Sequence, residues 1–138
     1  MIKHNIKSGL SKTYTKEAHM SNTIYPSGTS GGILDYLVST ATVIEQVMEH
    51  SSKMLDPLLP VNYITIGKKI ELTHEETTLI GETLIFLLMV TKVEGESVFL
   101  DITVSDSVGV ICRGKYERAI VDKEGLINNA YKRSAKSV

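Results

Sequence analysis

Three kinds of side chain in this 138-residue sequence are able to carry out proton transfer or nucleophilic attack. His74 follows directly after the strand-like residues 69–73, and an imidazole at a strand end can accept or donate a proton near neutral pH. Glu49 lies at the border of an apolar helical stripe, where its carboxylate could orient a histidine or polarise a water molecule. Glu49 also stands four residues before Lys53, a spacing that favours a weak surface ion pair instead.

The third kind is a group of hydroxyls at the start of the same helix, contributed by Ser39, Thr40 and Thr42. Such residues commonly cap a helix, because their oxygen accepts from a free backbone N–H of the first turn. The remaining free N–H groups, together with the positive end of the helix dipole, could hold the oxygen of a polarised carbonyl. Capping is the default interpretation of these hydroxyls, and a site for a polarised carbonyl at the helix N-terminus is the functional alternative.

The elements that must position these groups are one long helix and several strands. Small and apolar residues recur every three or four positions from 40 to 55, which predicts a helix that ends before Pro57. Strands are predicted at residues 10–18, 62–72, 83–92, 98–104 and 110–121, and a short helix at residues 124–133. The glycine-rich residues 25–32 have loop chemistry. The continuous apolar run of the third strand predicts a central strand buried on both faces.

This order predicts an α+β hotdog fold, in which an antiparallel sheet wraps around one central helix. We expect a single domain over residues 1–138, with a core at about 10–122 and a C-terminal tail at 123–138 that contains the short helix. Hotdog domains usually pair, so we expect a homodimer or a dimer of dimers in which a second subunit covers an open sheet edge.

Composition excludes several other classes of protein. The formal net charge of −1 argues against nucleic-acid binding. The longest apolar run, residues 84–90, is too short to span a bilayer as a helix, so we expect a cytoplasmic protein with no membrane partner. Cys112 is the single cysteine, which excludes an internal disulfide and predicts a buried structural thiol. No second histidine stands at metal-ligand spacing from His74, so no metal site is expected.

Three stretches, in this order, resemble one family. Val47-Met48-Glu49 resembles its helix motif, residues 71–74 resemble the strand that ends in its histidine, and residues 114–122 resemble its last strand, with Gly-x-x-Glu-Arg followed by apolar residues. Together they are similar to hotdog thioesterases of the fluoroacetyl-CoA thioesterase-like group. The resemblance covers about residues 34–122.

The resemblance implies a Thr–Glu–His constellation for acyl-CoA hydrolysis, with Glu49 and His74 in two of the three roles. Counting back from Glu49, the threonine position falls on Ala41, so Thr42 or Thr40 would supply the hydroxyl. Tyr116 stands where the family commonly has a histidine in its last strand. The expected function is hydrolysis of a small acyl-CoA thioester, and CoA is part of the substrate, so no separate cofactor is expected. Its phosphates would meet surface cations, for which Arg113, Lys115 and Arg118 are candidates.

The departures at Ala41 and Tyr116 motivate a second hypothesis, a hotdog protein that binds acyl-CoA or a related small ligand without turning it over. A hotdog dehydratase and a purely structural dimerisation module are the remaining alternatives. The sequence favours the thioesterase because Glu49 and His74 both occur at the spacing of the resemblance.

Overall fold

The computed structural model describes residues 2–19 and 33–135, and they form an antiparallel sheet with one long helix packed on its inner face. The predicted loop at residues 25–32 lies outside the described residues. The strands are β1 (Ser11–Glu17), β2 (Tyr63–His74), β3 (Thr83–Glu94), β4 (Ser97–Ser105) and β5 (Val110–Asp122). The helices are α1 (Thr40–Leu55) and α2 (Lys123–Ala135), and short 3₁₀ turns occupy Ile33–Tyr36 and Asp56–Leu58. The α+β hotdog architecture predicted from the element order is confirmed.

The strand order across the sheet is β1-β3-β4-β5-β2, and every neighbouring pair is antiparallel. β2 therefore occupies one end of the sheet, and its outer edge has no strand partner among the described residues. α1 runs antiparallel to β2 beside this open edge, because side-chain hydrogen bonds join Thr40 to His74 at one end and Asp56 to Thr65 at the other. The open edge of β2 and the outer face of α1 thus lie side by side.

Local chemistry explains where α1 begins and ends. The hydroxyl of Ser39 accepts a hydrogen bond from the backbone N–H of Thr42 at 3.0 Å, which caps the first turn. At the other end, Pro57 follows the C-cap residue Asp56 and turns the chain into the 3₁₀ segment. The face toward the sheet carries the buried side chains of Val43, Val47 and Met54.

The prediction that β3 is buried on both faces is wrong. Its side chains alternate: Leu84, Phe86, Leu88 and Val90 are buried against the helix side, and Ile85, Leu87 and Met89 are about 40% exposed on the outer face. Every position of the run is apolar, so the residue types do not distinguish the inward-facing positions from the outward-facing ones. β3 lies inside the sheet between β1 and β4, and β4 takes the middle position. Among the described residues, no helix is long and apolar enough to cross a membrane.

Candidate active site

The closest pairing of predicted site residues joins Thr40 to His74. Thr40 Oγ1 lies 2.7 Å from Nδ1 of His74, although the two residues are 34 positions apart in the sequence. This distance is that of a hydroxyl and the base that activates it. His74 is half-buried, and its Nε2 is shielded from solvent with no hydrogen-bond partner among the described residues.

Two elements bring this pair together. β2 continues two residues beyond the predicted end at Leu72, so His74 is its last residue and pairs in register with Cys112 of β5. Thr40 is the first residue of α1 and its side chain is exposed, and Ser39, not Thr40, takes the capping position. The rigid sheet and the helix start therefore fix the imidazole and the hydroxyl against one another.

The first turn of α1 offers free hydrogen-bond donors beside this pair. The N–H of Thr42 is occupied by Ser39 Oγ, and the N–H of Val43 donates to the Ser39 carbonyl at 3.3 Å. The N–H groups of Thr40 and Ala41 have no acceptor among residues 2–19 and 33–135. Two adjacent free N–H groups at a helix N-terminus can stabilise an oxyanion that develops within hydrogen-bonding distance.

The other two predicted site residues lie apart from His74 within one chain. Thr42 is buried, and its Oγ1 accepts from the Ser39 hydroxyl at 2.9 Å. Glu49 is exposed on the outer face of α1, where its carboxylate lies 3.4 Å from Lys53 Nζ. Since a helix rises 1.5 Å per residue, the nine residue steps from Thr40 to Glu49 separate them by about 14 Å along α1. The structure therefore brings Thr40, and neither Thr42 nor Glu49 of the same chain, to His74.

The three cations predicted to meet CoA phosphates differ in their surroundings. Arg113 Nε lies 3.3 Å from the Glu75 carboxylate, and Lys115 Nζ lies 3.9 Å from that of Asp101, both on the outer face of the sheet. Arg118 is 3% exposed, so the prediction that it lies on the surface is wrong. Strand alternation contained the signal that was missed, because Arg118 stands two residues from the inward-facing positions 116 and 120.

Arg118 instead ties α1 to the sheet. Its guanidinium donates to Thr65 Oγ1, to the Thr65 carbonyl, to Tyr116 Oη and to Ser52 Oγ, at 2.7–2.8 Å. The Tyr116 hydroxyl lies against Gly67 of β2 and needs a glycine there, because a Cβ at Gly67 would lie 2.5 Å from that oxygen. Tyr116, which stands at a position where the resemblance implies histidine, is thus a buried partner of Arg118.

Two further reactive groups are buried, Cys112 on β5 directly opposite His74 and His50 on α1. Burial raises the pKa of the Cys112 thiol to about 12, which makes it the structural thiol that the sequence predicts. His50 is stacked on Tyr14 with ring centroids 4.6 Å apart, and burial lowers its pKa. In the part of the chain that the structure describes, no group of three His, Cys, Asp or Glu residues could hold a metal ion.

Comparisons with known proteins found matches over most of the chain. The sequence model of the fluoroacetyl-CoA-specific thioesterase family matches residues 20–124, which is most of the chain. The chain belongs to this family. It is therefore a thioester hydrolase by class, and the family resemblance found in the sequence is confirmed. No curated protein matches the chain in a search by sequence.

Solved structures of the same architecture cover nearly the whole chain. A hot-dog-like protein from Thermanaerovibrio acidaminovorans is 25% identical, with a TM-score of 0.84 over 91% of both chains. A thioesterase superfamily member from Thermus thermophilus is 20% identical, with a TM-score of 0.82 over 96% of this chain and 98% of that one. A fluoroacetyl-CoA thioesterase structure is 20% identical, with a TM-score of 0.81 over 93% and 97% of the two chains.

Proposed function

We propose that the protein hydrolyses the thioester of a small acyl-CoA at the N-terminus of α1, with His74 as the base and Thr40 as the hydroxyl that it activates. The observation that carries this proposal is the 2.7 Å contact between Thr40 Oγ1 and His74 Nδ1 beside two free helix N–H groups. Variants of the related fluoroacetyl-CoA thioesterase have been solved with fluoroacetate and CoA and with acetyl-CoA, which supports a small acyl group on CoA.

In this mechanism the thioester carbonyl lies over the first turn of α1. The N–H groups of Thr40 and Ala41 stabilise the negative charge that develops on its oxygen. His74 Nδ1 takes a proton from the Thr40 hydroxyl, whose oxygen adds to the thioester carbon, and returns the proton to the departing thiolate of CoA; a water molecule that His74 deprotonates then hydrolyses the Thr40 ester. In the direct route, His74 deprotonates a water molecule that the Thr40 hydroxyl holds, and this water adds to the thioester carbon as the thiolate leaves with the proton. The reaction consumes water and needs no further cofactor.

The protein acts, in this proposal, as a homodimer that pairs the open edges of two β2 strands. β2 is 12 residues long, and a strand of this length with an unpaired edge readily accepts another strand. Beside that edge, Ala41, Ile44 and Met48 form an apolar stripe on the outer face of α1, and Met48 is 44% exposed. A two-fold pairing would cover the strand edge and the helix stripe together.

The dimer supplies the carboxylate that one chain cannot. Two α1 helices packed antiparallel, with the two-fold axis passing between Ile44 and Glu45, set Glu49 of each chain level with Thr40 of the other. Glu49 then lies across the thioester from the Thr40 hydroxyl, where its carboxylate orients the attacking water. Glu49 of one chain therefore reaches Thr40 of the other, although about 14 Å along α1 separates the two residues within one chain.

The hypothesis of a binding protein without turnover loses its first motive. It rested on the lack of a threonine at position 41, and Thr40 provides a hydroxyl at hydrogen-bonding distance from His74. Its second motive was Tyr116, which is buried and bonded to Arg118 rather than placed beside His74.

Thiol release from a panel of acetyl-, butyryl- and octanoyl-CoA tests the proposal directly. We expect turnover of the shortest substrates by the wild-type protein and a loss of about 10²–10⁴-fold in kcat for His74→Gln. His19→Gln is a matched control, because His19 is an exposed histidine just beyond the end of β1 and is not part of the Thr40–His74 pair. Equal turnover by wild type and His74→Gln would exclude this mechanism.

A further inference from the structure

A groove of about 710 Å³ lies between the N-terminal segment and the chain that follows α1. Residues 2–5 and 7 form one wall and residues 57–60 form the other, and the N–H of Asn5 donates to the Leu58 carbonyl at 3.3 Å to join them. The groove is a built feature of the fold, because Ile6 behind the first wall is buried in the core.

The two walls have different chemistry. Lys3, His4 and Lys7 supply the first wall with two ammonium groups and one imidazole, and none of the described carboxylates lines the groove. The second wall is the apolar run Pro57-Leu58-Leu59-Pro60. A ligand complementary to both walls carries several negative charges next to a flat apolar ring, which is the chemistry of a phosphorylated nucleotide.

Charge pairing separates this groove from the three cations that the sequence predicted to meet CoA phosphates. Arg113 and Lys115 face carboxylates on the outer side of the sheet, and Arg118 is buried with its hydrogen bonds directed to protein groups. Lys3 and Lys7 have no carboxylate within 4.0 Å among residues 2–19 and 33–135. Their attraction to an anion is therefore not offset by an internal partner.

The place of the groove relative to the reacting centre also fits. In the proposed dimer, Glu49 of the partner subunit is level with Thr40, and Leu58 of the partner subunit comes nine residues later. α1 ends at Leu55, so the helix rise places the end of the partner's helix about 9 Å beyond Thr40, and its residue 58 follows in the 3₁₀ segment, within the span of an extended pantetheine arm. Within one chain the groove and Thr40 are at opposite ends of α1, at least 22 Å apart by the same rise for its 15 residue steps.

We infer that this groove binds the 3′-phosphoadenosine diphosphate end of the acyl-CoA whose thioester is held at the Thr40–His74 pair of the other subunit. The inference rests on the proposed function, because it assigns the second half of the same substrate. The Lys3 and Lys7 ammonium groups bind the phosphates, and the purine packs on the second wall of the groove, residues 57–60.

The test compares substrates with and without the nucleotide. Lys3→Gln/Lys7→Gln removes two charges from the groove, and Lys12→Gln/Lys123→Gln removes two exposed charges elsewhere as the matched control. The affinity tag is placed at the C-terminus to leave residues 2–7 free. We expect the groove variant to raise the KM for acetyl-CoA about tenfold, equivalent to about 1.4 kcal/mol, with kcat unchanged. Its KM for acetyl-pantetheine, which lacks the nucleotide, should equal that of the wild type.

Calorimetry with CoA itself measures the groove independently of turnover. A tenfold weaker Kd for CoA in the groove variant, with the control variant unchanged, would support the site even if the wild-type protein hydrolysed no thioester. Equal CoA affinity in the groove variant and the wild type would overturn the inference while leaving an observed thioesterase activity intact. An equal rise in KM for acetyl-CoA and acetyl-pantetheine would also overturn it, because the lysines would then act on the site as a whole.

Discussion

Mixed dimers give the sharpest test of where the carboxylate comes from. Glu49 and Thr40 are nine residues apart on α1, which places them about 14 Å apart along one helix, beyond the reach of a hydrogen bond. If Glu49 acts on the Thr40–His74 pair of the partner subunit, a Glu49→Gln chain combined with a His74→Asn chain rebuilds one intact site. The second site of that mixed dimer carries both defects.

The expected activity follows from counting sites. Random mixing of equal amounts makes half of the dimers mixed, and each has one intact site of two, so about one quarter of wild-type activity per chain should return. Mixed dimers purified through two different affinity tags should reach about one half. Each variant alone should show a loss of about 10²-fold or more in thiol release from acetyl-CoA.

A third combination is the matched control. Glu49→Gln mixed with the Glu49→Gln/His74→Asn double variant contains no wild-type Glu49 in any dimer, so no activity should return. If the purified Glu49→Gln and His74→Asn mixed dimer stays as inactive as its parents, Glu49 does not act across the two-fold axis. If Glu49→Gln alone retains full activity, the carboxylate has no role in the reaction.

Three further predictions address single residues. Thr40→Val should lower kcat about 10²–10⁴-fold, and Thr40→Ser should keep most of it, in the thiol-release assay; equal loss in both would contradict a role for the hydroxyl. Burial lowers the pKa of His50, so the unfolded chain binds its proton more readily, and the free energy of unfolding should fall as the pH drops below about 6.5. Urea unfolding of His50→Phe between pH 5 and 8 should show a flatter pH dependence, and an unchanged slope would count against this account. Arg118→Met should lower the free energy of unfolding, measured with urea, by about 2–4 kcal/mol, because it leaves buried groups of Thr65, Tyr116 and Ser52 without their hydrogen-bond donor. A decrease below about 1 kcal/mol would show that these groups find other hydrogen-bond partners.

The sequence predicted the elements well because their periods are strong. The bounds of α1 agree at both ends, since the apolar stripe begins after a capping serine and ends before Pro57. The five strands agree to within one or two residues at each end, because short turns interrupt a clear alternation. The burial of β3 was predicted wrongly, because its apolar run contains no polar residue that would reveal which side faces outward.

The choice of hydroxyl was beyond sequence reasoning. Counting helical turns from Glu49 favours Thr42, because seven residues return to nearly the same helix face. That count assumes that the hydroxyl and the carboxylate belong to one chain. In the structure Thr42 is held by Ser39, and Thr40 reaches His74 because β2 ends beside the first turn of α1. The spacing of residues within a single helix or strand cannot predict this contact, because it joins two different elements.

The fold makes activity depend on association, if the carboxylate is shared. α1 is fixed to its own sheet at both ends, through the Thr40–His74 contact and through the bonds from Thr65 to Asp56. It cannot slide by nine residues to bring its own Glu49 to its own His74. A single chain therefore holds a base and a hydroxyl without the carboxylate, and only pairing supplies it. Thiol release per chain should then fall steeply on dilution below the dimer dissociation constant, in step with the loss of dimer measured by light scattering.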